Sequence, residues 1–254
     1  RIINGAGIVR GIDGEISLNE AFASLAEKSL KVTVGGSFTS KYQAGQTFER
    51  DSTVFTLPNN VGATTGRLGL VYKNFQFTGE YVTKINDPNA DNGYIFTKGE
   101  SIFINAAFSK KGFGVTASAK YVDNMAFRSD RDALLFDVPI NFLPAITRQH
   151  TYNLAATLYP YATVLNGEVG VSGELFYNFK KESLLGGKYG TYVSLNVAAV
   201  NSLDTTHVGG TEELINGYEV NSYGFGDTKY VRDVNLEIRK KINKSWNVNF
   251  VHYY

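Results

Sequence analysis

Along much of this chain the side chains change character at every second residue. That is the period of a β-strand whose two faces meet different surroundings. In Lys31–Tyr42, Val32, Val34, Gly36 and Phe38 fall on one face, and Lys31, Thr33, Ser37, Thr39 and Lys41 on the other. Phe75–Lys84 sets Phe75, Phe77, Gly79 and Tyr81 against Gln76, Thr78, Glu80 and Lys84. Phe113–Tyr121 and Glu168–Phe179 repeat the pattern, and Val234, Leu236 and Ile238 face away from Asp233, Asn235, Glu237 and Arg239. Weaker copies lie at Gly11–Leu18, Gly66–Tyr72, Ile102–Ser109, Thr151–Tyr159, Thr191–Val200 and Trp246–Tyr254. The pattern predicts about eleven strands. One segment, residues 19–28, reads as a short helix with Asn19 as its cap.

The connections sort by length. Lys73-Asn74, Lys110-Lys111-Gly112, Pro160–Asn166 and Lys241–Ser245 are short, whereas 43–65, 86–100 and 123–149 are long and polar. Short turns at one rim and long loops at the other are the habit of a membrane barrel. Two features break the pattern. The segments 180–190 and 201–229 are consecutive and both long, which an extra hairpin around Tyr218–Tyr223 would repair. An odd strand count also departs from the even-numbered single-chain barrels. The chain opens Arg1-Ile2-Ile3-Asn4-Gly5 and closes inside a strand-like run, which reads as a processed or truncated product.

Composition narrows the classes. No cysteine is present, which excludes a disulfide scaffold, a thiolate zinc site and a thiol enzyme. The 25 basic and 24 acidic residues leave no basic excess for nucleic acid. No apolar run is long enough for a transmembrane helix. Alternation by itself fits either a soluble sandwich with an apolar core or a membrane barrel with an apolar exterior. Several features favour the barrel. The strands are long, and small residues such as Gly36, Gly79, Ala117, Ala119 and Gly173 sit on the apolar face, where a packed core would need volume. Tyr and Phe gather near strand ends, as at Tyr42, Tyr72, Phe75, Phe113, Tyr177 and Phe179. Scarce proline and abundant glycine suit the outer membrane of a Gram-negative bacterium. The expectation is a single all-β domain over residues 1–254, an antiparallel transmembrane β-barrel incomplete at its ends. Glu80, Lys84, Lys120, Glu168, Glu174, Asp233, Glu237 and Arg239 would line its lumen.

Several runs resemble a known family. They are Gly5–Leu18, Gly35–Phe38 with Ser40–Gln43, Pro144–Tyr152, Asn166–Glu168 and Leu185–Gly190. Together they resemble outer-membrane proteins of Bacteroidota that have no assigned function and are longer than this chain. The resemblance implies the location and the fold, makes this chain an interior portion of a larger barrel, and carries over no catalytic residue.

Few residues offer chemistry. Asp87, Asn89 and Asp91 place oxygens at alternate positions, as a calcium loop does. Asn92 stands where the sharp-turn glycine belongs and Lys98 where a closing carboxylate belongs, so an ordinary polar loop is the stronger reading. His150, His207 and His252 have no serine-hydrolase elbow beside them. Gly186–Gly190 lacks the phosphate-loop pattern and reads as a turn. Asp130, Arg131 and Asp132 form a charged loop cluster suited to a partner contact or to latching its own loop. No catalytic residue and no cofactor is assigned. The expected partners are outer-membrane lipid and another outer-membrane or secretion-related protein, with no nucleic acid. The expected role is a structural, partner-binding component of an outer-membrane assembly. The alternatives are a passive porin or transporter for small solutes and a soluble carbohydrate-binding β domain.

Overall fold

The computed structural model describes residues 7–134, 137–149, 160–209 and 215–254. Ten strands form one sheet: β1 (Ile8–Ser17), β2 (Leu30–Tyr42), β5 (Asn60–Tyr72), β6 (Phe75–Lys84), β7 (Gly99–Lys110), β8 (Phe113–Asp123), β9 (Gly167–Phe179), β10 (Thr191–His207), β11 (Tyr218–Lys241) and β12 (Asn247–Tyr253). A separate hairpin pairs β3 (Thr47–Arg50) with β4 (Thr53–Thr56). Every pairing in the large sheet is antiparallel and joins strands that follow one another within that sheet, with the β3–β4 hairpin inserted between β2 and β5. Among the described residues β1 and β12 are edges that do not pair with each other.

The register carries the sequence alternation across the sheet. Phe108, Val115, Leu175, Leu195 and Leu236 stand side by side on one face. On the opposite face Thr116, Glu174, Asn196 and Asn235 form a polar row. A one-residue slip would exchange the two sets, so the pattern fixes the register. The tight turns fit this ladder: Lys73 and Gly112 take positive φ, at 51° and 82°, as the twist of a short hairpin demands.

Four connections, 43–59, 85–98, 124–166 and 208–217, leave one end of the sheet, and 18–29, 73–74, 111–112, 180–190 and 242–246 leave the other. The expected long loop at 201–229 is therefore corrected. Most of it is strand, because β10 and β11 continue pairing as far as His207 and Tyr218 through a series of bulges. The connection that remains, 208–217, leaves the long-loop end, while 180–190 at the other end stays comparably long. The expected loop at 43–65 likewise contains β3, β4 and the first turn-proximal part of β5. The strand expected at 151–159 lies outside the described residues.

The single helix expected over 19–28 is replaced by two short turns, α1 (Leu18–Ala21) and α2 (Ala23–Ala26). Phe22 interrupts them with extended φ and ψ of −123° and 115°. Asn19 is not the cap, a position that Ser17 holds. Instead the buried Asn19 amide donates to the carbonyls of Leu25 and Leu30 at 2.7 and 3.0 Å, and its oxygen accepts from the Val32 amide at 2.8 Å. One side chain thus ties the link to the start of β2. Asn19→Ala strands these buried groups, and stability falls by about 1–3 kcal/mol. Chemical denaturation checks the fall, and hydrogen exchange at Val32 should speed up in the variant. Unchanged exchange there would contradict the tie.

Candidate functional site

The register sets Glu80, Lys84, Lys120, Glu168, Glu174, Asp233, Glu237 and Arg239 on one and the same face of the sheet. At the long-loop end this face is covered by the 85–98 and 124–149 segments. Asn124 through Arg128 of this covering are all buried. The covering is built around charge.

Lys41, on β2, and Lys84, at the end of β6, both reach Asp87 in the loop after β6. The distances are 2.8 and 3.7 Å. Lys84 also donates to the Ala126 carbonyl at 2.6 Å. The Phe127 ring lies 5.5 Å from the Lys41 ammonium and 5.9 Å from that of Lys84. Two cations and one carboxylate are thus closed off from water together, and the ring face supplies part of the missing negative potential. Two strands and two loops are pinned at one point.

A second cluster sits beside the first. Lys120 pairs with Glu168 at 2.6 Å, across β8 and β9. Lys120 also donates to the Pro144 carbonyl and to Thr163 Oγ1, both at 2.7 Å. Glu168 accepts from the Tyr161 hydroxyl at 2.5 Å and from the Val164 amide at 2.7 Å. Burial and the neighbouring Glu168 push the Tyr161 phenol upward, so it remains a donor. Further along the face, Arg148 meets Glu237 at 3.3 Å and Asn235 at 3.4 Å. Glu237 also takes Arg239 at 2.6 Å. Residues 124–134 and 137–149 therefore lie across the polar face from β8 to β11. Between this segment and the sheet is a cavity of about 380 Å³ bordered by Glu80, Phe103 and Phe142.

Asp87, Asn89 and Asp91, the oxygen-bearing run after β6, are each engaged by groups of the protein itself. Asp87 is taken by the two lysines and Asp91 by the Arg128 guanidinium. The Asn89 side chain caps the Ala90–Asn92 turn by accepting from the amides of Asp91 and Asn92. Among the described residues no group of His, Cys, Asp and Glu is arranged to hold a metal ion. Asp130, Arg131 and Asp132 latch their own loop. Arg131 is buried against Gln43 and the Pro58 carbonyl, and Asp130 accepts from Gln43. Only Asp132 is exposed, and it accepts from the Tyr94 hydroxyl, whose phenol is pushed up to about 12 by burial and this bond. His207 and His252 lie on β10 and β12 far from one another in the ladder, and His150 lies outside the described residues. Gly186–Gly190 is a turn closed by the Gly187 amide on the Ser183 carbonyl at 2.9 Å.

Sequence reasoning missed Lys41, Gln43, Arg128, Arg148 and Tyr161. Lys41 was visible as a polar-face residue, but its partner comes from a distant loop.

The family model for a family of unknown function, DUF6029, matches residues 2–254. The chain belongs to this family. No curated protein matches it. Membership thus joins the open, loop-covered sheet to a family whose function has not been assigned, and the reading of function rests on the geometry.

A variant separates pairing from mere packing at this face. Glu168→Ala leaves the buried Lys120 ammonium without its carboxylate, and stability falls by about 3–5 kcal/mol. Lys120→Met combined with Glu168→Leu recovers most of that loss, because neither charge is then buried. Thermal unfolding of the wild type, the single and the double variant checks both outcomes.

Proposed function

We propose that this chain forms part of the wall of a transmembrane β-barrel in the outer membrane of a Gram-negative bacterium. We further propose that it serves there as a structural, partner-binding component of an outer-membrane assembly. The observation that carries the reading is an inverted distribution of polarity. Lys84 and Glu168 are 0 % exposed, whereas Ile12 is 73 %, Ile16 57 % and Phe250 54 % exposed. In water such a face would lose about 25 cal/mol for each Å² of apolar surface left uncovered. In a bilayer the same face is at home.

Three further features support it. From β1 to β9 the strands of the large sheet are 10–13 residues long, enough to cross a bilayer at a tilt. Phe108, Phe113, Tyr177 and Phe179 form a row on the apolar face at the short-turn end, with ring centroids 6.3, 6.4 and 4.8 Å apart in sequence. That is where an interfacial aromatic girdle belongs. The likeness to outer-membrane proteins of Bacteroidota agrees with both. Closing such a wall requires the edges β1 and β12 to find strand partners.

The partner-binding role draws on the long loops, which are ordered by buried ion pairs and present Asp132 and the β3–β4 hairpin at one end. A second reading, passive passage of small solutes, draws on the cavity beside Glu80 and Phe103. The 124–149 segment across the polar face narrows that route. Purification from native outer membranes in mild detergent tests both readings, with the sample run boiled and unboiled on a denaturing gel. The expected result is a heat-modifiable band with a stoichiometric protein partner. A lone heat-modifiable band that conducts ions in a planar bilayer would replace partner binding with passage. A water-soluble band without a heat shift would overturn the membrane reading.

A further inference from the structure

We infer that the short-turn rim carries a binding site for the phosphate of an anionic phospholipid headgroup, an assignment that rests on the membrane reading above. Three of the strands that run towards this rim, β7, β9 and β11, share a feature that their fold does not require. β7 ends at Lys110 and continues into Lys111, β9 is followed by Lys180 and Lys181, and β11 ends at Lys240 and Lys241. Three lysine pairs, far apart in sequence, are delivered to one place because alternate strands of an antiparallel sheet finish at the same end.

They surround a cavity of about 1050 Å³ whose lining also includes Arg239 and contains no aspartate or glutamate. Among the described residues none of the six lysines forms an ion pair. This contrasts with the long-loop end, where every buried lysine has a carboxylate. Like charges so gathered repel one another, and an anion that enters among them is held by several at once. Asn178, Asn247 and Asn249 add neutral amides to the same lining.

The neighbours of the cavity decide which phosphate fits. Phe113, Tyr177 and Phe179 belong both to its lining and to the aromatic row on the apolar face. Lys110 lies 5.7 Å from the Phe113 ring, so the cation stands directly at the border of the apolar face. A lipid satisfies both parts, with its phosphate among the lysines and its acyl chains along the rings and the strands above them. Free phosphate would use the lysines and gain nothing from the apolar face.

The test places the full chain in phosphatidylcholine nanodiscs with and without phosphatidylglycerol. Native mass spectrometry then counts the lipid retained after release into detergent. Phosphatidylglycerol should be retained and phosphatidylcholine lost. Each lysine changed to glutamine should lower retention about fivefold, from roughly 1 kcal/mol per cation at a membrane surface. The variant K180Q/K181Q/K240Q/K241Q should retain no more phosphatidylglycerol than phosphatidylcholine. Lys73→Gln, on the same rim and outside the cavity, should retain lipid as the wild type does. Equal retention of both lipids by a chain that has entered the nanodisc would overturn the headgroup site and leave the membrane reading in place. Failure to enter phosphatidylcholine nanodiscs at all would remove both. Complete displacement of phosphatidylglycerol by inorganic phosphate at equal concentration would make the site one for free phosphate and overturn the lipid assignment.

Discussion

Ionised side chains closed off from water must find partners, and this requirement organises the protein around its polar sheet face. Lys41, Lys84 and Lys120 sit on strands, where the ladder fixes them, but the strands supply only one of the carboxylates they need, Glu168. Asp87 and the carbonyls of Ala126 and Pro144 come from loops. Folding the loops inward therefore satisfies charges that the sheet alone would leave stranded. The desolvation penalty is offset only when the whole set is in place. The loops at this end are accordingly the consequence of the sheet's charge pattern.

The opposite face and the opposite rim obey the same logic with different surroundings. Among the described residues no second layer covers most of the apolar face, and its aromatic row ends where the lysine-rich turns begin. From β2 to β9 strand pairing satisfies the backbone on both sides of each strand of the large sheet, the condition for a wall that meets hydrocarbon, whereas β10 beyond Asn201 and β11 before Val234 pair on one side only. At the long-loop end the apolar side is different. There Leu203 and Val220 of the extended β10–β11 hairpin pack on Tyr121 and Val169, and Tyr223 meets Tyr121 edge-on at 4.8 Å. This marks a boundary between the bare part of the face and a part that the chain covers for itself.

Much of this architecture was readable in the sequence because strand periodicity is local. Lys31–Tyr42 and Phe75–Lys84 became β2 and β6 almost residue for residue, and the faces assigned to Glu80, Lys120 and Glu174 follow from parity alone. What failed depends on partners. The run Asn221–Asp227 is rich in Gly, Asn and Ser and reads as loop, but pairing with β10 makes it strand, and the bulges hide its period. Residues 19–28 carry helix-forming composition, yet Asn19 is recruited by β2 and Phe22 breaks the run. The oxygen-rich Asp87–Asp91 segment reads as a polar loop, but the lysine and arginine side chains that engage it come from β2, β6 and the loop after β8. The sequence gives no spacing rule that joins residues so far apart.

In the proposed arrangement the apolar face meets lipid while the charged face is turned away from it. The absence of natural cysteine allows a single fluorophore to be placed at will. Leu175→Cys and Leu195→Cys lie on the apolar face, and Glu174→Cys is the neighbour on the charged face. In vesicles, a quencher carried on lipid tails should darken labels at 175 and 195 and spare the label at 174. Quenching of all three by lipid to the same degree, or of the 175 and 195 labels by aqueous iodide instead, would contradict the account.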